Sequence, residues 1–266
     1  MAEARRWTRE ELLVALNLYE KLRFGQFHSK QPVIVEVAAR MKRTPGSLAM
    51  KLSNLASLDP KVQARGIVGL QGASNLDQEV WEEFHANRED IVPASEEAMR
   101  KLFHATEKDE VEIIGDVGVE VHSAPRPPDG PTSATAQVNV RRGQQYFRQV
   151  VLNAFCGRCG VTGIAVRELL VASHILPWAK YPKSRLEPQN GISLSSLHDS
   201  AFDRGLIGFD ENYRLVLSDR LRSHLPHKSL EENFLSYEGR PLNMLPDIAP
   251  PNQGYLSIHR KEWNLV

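Results

Sequence analysis

Apolar positions recur at helical spacing from the start of the chain. In "RRWTREELLVALNLYEKLRFG", Leu12, Leu13, Leu16 and Tyr19 repeat with the period of one helix face. Thr8 stands at the N-cap with Glu11 three residues on, the pattern of a capping box. "PVIVEVAARM" predicts a second helix and "RTPGSLAMKLSNLASLDP" a third, with Thr44 at its N-cap and Pro45 at its first position. "VWEEFHANRED" adds another. The pattern dissolves between His104 and about Val138. There "DEVEIIGDVGVEV" reads as a short strand or disorder, and "SAPRPPDGPTSATAQ" has the composition of a linker. A helix over "RRGQQYFRQVVLNAF" follows, then a strand, "RELLVASHI", that ends on His174. A proline-punctuated basic loop, "LPWAKYPKSRLEPQNG", leads to a short returning strand, "ISLS", and to a helix, "SLHDSAFDRG", that stops at Gly205. "GLIGFDENYRLVLSDRL" predicts a β-hairpin turning at Asp210 to Asn212. These readings give an α+β chain: a helical domain over 1–103, a linker over 104–138 and a second domain over 139–266.

Composition narrows the class. Hydrophobic residues make up 41% and charged residues 25% of the 266, which suits an ordinary globular protein. No apolar run is long enough to span a membrane. The opening "MAEARRWTREELL" has no signal-peptide core, so export is not expected. Cys156 and Cys159 are the only cysteines, which suits a reducing cytoplasm.

Net charge is zero, yet the charge is uneven. Arg141 to Arg185 holds eight Lys/Arg against Glu168 alone, and Arg40 to Arg65 holds six against Asp59. Glu107 to Asp129 reverses the balance, with seven acids. Such basic segments are ordinary solvated surface or faces for a polyanion. The second and third helices, joined by a short polar turn, outline a helix-turn-helix whose second helix enters the DNA major groove. Arg43, Ser47, Lys51 and Asn54 would then lie on or near its exposed face. A small helical bundle with a basic surface fits the same pattern.

Taken singly, His174 reads as a core histidine, Asn190 before Gly191 as turn chemistry and His198 as an exposed helical residue. Taken together in a strand–loop–strand–helix setting, the three resemble the HNH endonucleases, the ββα-metal nucleases. The resemblance covers about Cys156 to Asp210, carried by "SHILPW", "NGISL" and "HDSAFDRG". It is nearest the branch found in restriction and defence systems, and the C-terminal "FLSYEGRPLNMLPDIAPPNQGYLSIHRKEW" is similar to that branch's closing segment.

Together with the helix-turn-helix outline of the first hundred residues, this resemblance gives a fold of N-terminal helical, helix-turn-helix-like domain plus C-terminal ββα-metal nuclease, and it implies action on double-stranded DNA. It implies His174 as general base, Asn190 as the residue holding the loop, and His198 as ligand to a divalent cation, Mg²⁺ or Mn²⁺. An imidazole titrating near neutrality suits a base that deprotonates water. Lys180, Lys183 and Arg185 would grip flanking phosphates. Many members place an Asp or His ligand directly before the base, where this chain has Ser173. Asp203 is the second ligand taken here, after the "FD" of that branch. The Cys156–Cys159 pair is half of a zinc ribbon. With no second pair, and with His224 and His227 tightly spaced around Pro226, structural zinc is not expected.

Three functions stay open on these residues. The first is a restriction endonuclease, including one that reads a modified base through rings such as Trp7, Tyr19, Phe24, Phe27 and Trp81, although rings in such positions are far more often core. The second is a DNA-binding protein with an inactive HNH fold, and the third a homing or phage-type nicking enzyme. Because one HNH site cuts one strand, double-strand cleavage predicts a homodimer.

Overall fold

The computed structural model of the chain describes residues 5–66, 69–123, 134–245 and 248–265. The chain divides into two compact units, Met1–Gln149 and Val150–Val266. No helix among the described residues is long and apolar enough to cross a membrane.

In the first unit α1 (Arg9–Lys21) is the central helix, with Leu12 through Tyr19 all buried. It starts where the sequence says it should, because the Thr8–Glu11 capping box satisfies the first free amides. Around it come α2 (Pro32–Arg40), α3 (Pro45–Ala56), α4 (Pro60–Ala64), α5 (Asn75–Ala86) and α6 (Arg88–Leu102). Burying a helix on every side also buries its polar residues, and each finds a partner. Asn17 donates to Ser95 (3.1 Å) and Glu96 (2.8 Å) on α6, and Lys21 meets Glu96 at 2.5 Å. Glu20 accepts from Tyr146 at 2.8 Å and pairs with Arg88 at 3.3 Å. Tyr19 and Trp81 pack edge-on at 5.3 Å, with Phe27 5.4 Å from Tyr19, so these rings serve the core.

The helix, short turn, helix order of α2 and α3 is present, with Thr44 capping α3 through Ser47 N (3.1 Å). The expected exposed cations are placed differently. The Lys51 ammonium is buried and bound to both oxygens of Asp77, at 2.7 and 2.8 Å. Arg43 spends its guanidinium on Glu11 (2.8 and 2.9 Å), on the carbonyls of Arg5 and Arg6, and on the face of Trp7. Both charges are paired because Glu11 and Asp77, on α1 and α5, come against α3. Asn54 donates to the Gly72 carbonyl at 3.3 Å.

The acidic segment forms an antiparallel hairpin, β1 (Asp109–Ile114) with β2 (Gly118–Ser123), in register from Asp109 opposite Ser123 to Ile114 opposite Gly118. The outer edge of β1 is closed by a side chain. Gln149 of α7 (Ala134–Ala154) accepts from Ile113 N and donates to Val111 O, each at 3.0 Å. The stretch 124–133, the centre of the expected linker, lies outside the described residues.

The second unit is built on β3 (Leu170–His174) and β4 (Gly191–Ser195), antiparallel, with His174 opposite Gly191. Then come α8 (Ser196–Asp203), the hairpin β5 (Ile207–Phe209) with β6 (Leu215–Leu217), α9 (Asp219–Arg222), α10 (Lys228–Asn233) and α11 (Gln253–Trp263). Phe202, Phe209, Leu194, Ile192 and Leu256 fill the core between them. The β5–β6 turn is set by Asp210, whose carboxylate accepts from Asn212 N and Arg214 N, both at 2.8 Å.

Gly205 ends α8 at φ +61°, where side chains are strained, and a Cβ there would overlap the Trp263 ring of α11. Gly205→Ala therefore combines left-handed strain with overpacking and is expected to lower the stability of this unit by about 2 kcal/mol. Denaturant unfolding checks this, and an unchanged midpoint would contradict it.

Candidate active site

His174 closes β3, so its side chain emerges where the strand gives way to the loop 175–190. Its Nε2 lies 3.0 Å from the Arg185 carbonyl. A carbonyl only accepts, so Nε2 carries the proton and the lone pair of the neutral ring is on Nδ1. Trp178 packs edge-on against the imidazole at 5.4 Å. Burial, opposed only in part by the bond to Arg185, holds the His174 pKa below its ordinary 6.5. The ring is thus neutral at physiological pH, the form a general base needs.

Asn190 keeps the loop in place. Its side chain is fully buried, accepts from Leu176 N at 2.9 Å and donates to Leu176 O at 3.2 Å. Its own carbonyl accepts from Ile175 N at 2.9 Å. One residue thereby ties the end of the loop to the two residues that follow His174.

His198 is placed otherwise than expected. It is buried, on the inner side of α8, and its ring is in use at both nitrogens. Nε2 donates to the Asn233 carbonyl at 2.9 Å, so Nδ1 accepts from the Ser195 hydroxyl at 2.8 Å. Ser195 is also the N-cap of α8, and Phe234 covers the ring at 5.0 Å. Both ring nitrogens thus face protein partners. Asp203, five residues on, is exposed, so it shares neither the face nor the surroundings of His198. Partial desolvation by its neighbours first, and then the charge of Asp199, hold the Asp203 carboxyl above its ordinary range. Among the described residues no three His, Cys, Asp or Glu side chains gather to hold a metal ion. The expected ligand pair, His198 with Asp203, does not fit one. The serine three residues before His198 is the signal in the sequence for the helix-capping role.

Ser173 points away from His174 along the strand and is buried. The loop cations diverge. Lys183 is exposed on the turn Pro182–Ser184, Lys180 pairs with Glu262 at 3.1 Å, and the Arg185 guanidinium lies over Trp178 at 5.1 Å. Cys156 is exposed, whereas Cys159 is buried with its sulfur accepting from Ser195 N at 3.3 Å.

A strand-end imidazole, an asparagine clamp and a following helix sit inside one segment of the chain. Residues 159–210 match the family model described as HNH endonuclease. That segment is similar to the HNH endonucleases. No curated protein matches the chain. The HNH match points to nuclease chemistry with DNA as substrate, and HNH nucleases generally use a divalent metal.

His174, His198 and His259 all titrate below 6.5, burial being the first cause in each. Where the folded pKa lies below the unfolded one, the unfolded state takes up protons first. The stability due to these neutral rings is therefore complete above about pH 6.5 and is lost as pH falls from there through the folded values. Unfolding of the second unit is expected at lower denaturant at about pH 5 than at about pH 7. A midpoint independent of pH across this window would contradict the burial of the three rings.

Proposed function

We propose that the chain is a DNA endonuclease in which His174 is the general base. The observation that carries this reading is the fixed tautomer of His174. With Nε2–H bound to the Arg185 carbonyl and the pKa depressed, Nδ1 is the atom to take a proton from water as its oxygen attacks phosphorus. As the new P–O bond forms, the bond to the leaving sugar oxygen breaks, and that oxygen must be protonated or neutralised. Asn190 acts by holding the loop against the strand end, and His198 by fastening α8 to the end of α10. Exposed Lys183, on the loop that follows His174, supplies positive charge for flanking phosphates. Mg²⁺ or Mn²⁺ is the cofactor the family implies.

Selectivity belongs in this reading to the helical unit. With Arg43 and Lys51 committed to Glu11 and Asp77, a groove-reading α3 would use its small outer positions, Ser47 among them. A cytoplasmic restriction role, including restriction of modified DNA, follows from pairing such a unit with a nuclease. Double-strand cleavage by one HNH site per chain would call for two copies. A second reading, a DNA-binding protein with an inactive HNH fold, is favoured by one observation: both nitrogens of His198 are committed to protein partners.

Cleavage of a plasmid prepared with and without base methylation separates the two readings. Metal-dependent cutting is expected, reduced at least about 100-fold in His174→Ala, the order of a lost general base. A preference between the plasmids marks modification-dependent restriction. No cutting with Mg²⁺ or Mn²⁺ while DNA is still bound would overturn the enzyme in favour of the binding protein.

A further inference from the structure

We infer that Tyr255, outside the segment matched to the HNH family, is a positioning residue for the His174 imidazole. Its phenol donates to the Glu187 carboxylate at 2.7 Å and therefore accepts from the Ser184 hydroxyl at 3.0 Å. Ser184 and Glu187 flank Arg185, whose carbonyl receives Nε2–H of His174. A single hydroxyl thus grips the loop on both sides of the atom that sets the tautomer of the base. A backbone Glu187 N to Ser184 O bond at 3.1 Å closes the same turn, and the buried Leu186 anchors it from within.

The mount of the phenol is stiff. Tyr255 lies in the first turn of α11, whose N-cap Asn252 accepts from Gly254 N (2.8 Å) and Tyr255 N (3.3 Å). One turn on, His259 stacks on Phe202 of α8 at 3.9 Å and 4°, and its Nε2 donates to the Phe202 carbonyl at 3.0 Å. Leu256 is fully buried beside it. The loop is tied to the same region at Gln189, which bonds to Asn252 N (2.9 Å) and the Pro250 carbonyl (3.2 Å). The Lys180–Glu262 pair is exposed and adds little. Burial, and then the Glu187 charge, hold the phenol above its ordinary pKa, so it remains a donor wherever a neutral His174 works.

The inference rests on His174 being the base, and its test separates the two. In the full chain with Mn²⁺, Tyr255→Phe is expected to lower kcat for plasmid cleavage about 10-fold and to change KM less than about twofold, because misplacing a reacting group costs rate before binding. Glu187→Gln keeps an acceptor for the phenol and is expected to stay within about twofold of wild type in kcat. The ring nitrogens of His174, followed by ¹⁵N NMR, report the Nε2–H tautomer in the wild type. They are expected to move toward a tautomer mixture in Tyr255→Phe. A folded Tyr255→Phe protein with wild-type His174 shifts overturns the inference, as does one with unchanged kcat. If Tyr255→Phe does not fold, Ser184→Ala/Glu187→Ala removes the same two bonds from the loop side and is judged by the same criteria. Should the wild type cut no DNA, the base assignment fails, while the NMR comparison still decides the positioning.

Discussion

A buried asparagine amide holds the candidate site together. Asn190 satisfies both backbone groups of Leu176 with its side chain and the amide of Ile175 with its carbonyl. A loop between paired strands would otherwise bury unpaired amides or stay open to water. With the loop closed, the Arg185 carbonyl comes to the strand end and meets His174. The tautomer, the burial and the lowered pKa of the imidazole all follow from that closure. The functional atom is Nδ1 of a histidine, but its state is set by backbone geometry across a loop.

The rest of the second unit repeats the device of histidines fixed by main-chain carbonyls. His174 donates to Arg185, His198 to Asn233 and His259 to Phe202. Only the first stands at a strand end beside a basic loop. The other two join α8 to α10 and α11, so the imidazole that the family resemblance implies as a metal ligand also braces α8 against α10. In the helical unit, buried charges likewise meet partners: Lys51 with Asp77, Lys21 with Glu96, Arg88 with Glu20. Breaking one such pair strands a charge, so these residues are costly to replace whatever the unit binds.

What could be read in the sequence was local. The Thr8–Glu11 capping box, Thr44 with Pro45, the strand ending on His174 and the turn at Asp210 depend on neighbours within a few residues, and each appears as its pattern predicts. What could not be read depends on partners far along the chain. Lys51 looks like an exposed helical cation until Asp77 folds against it, 26 residues on. His198 reads singly as an exposed helical residue, whereas its ring is buried against the Asn233 carbonyl, 35 residues on. Arg185 was singled out for its guanidinium, whereas the atom that matters to His174 is a backbone oxygen, which no residue type announces. Tyr255 lies in the closing segment, whose likeness to the family gives it no role, and only the packing of α11 brings it to the loop.

The central claim is that loop closure holds His174 as a neutral base with its lone pair on Nδ1. A pH titration of the His174 ring nitrogens by ¹⁵N NMR on the wild-type chain tests it most directly. The account predicts the Nε2–H tautomer and a pKa below 6.5. An Nδ1–H tautomer, or a pKa at or above 6.5, would contradict it.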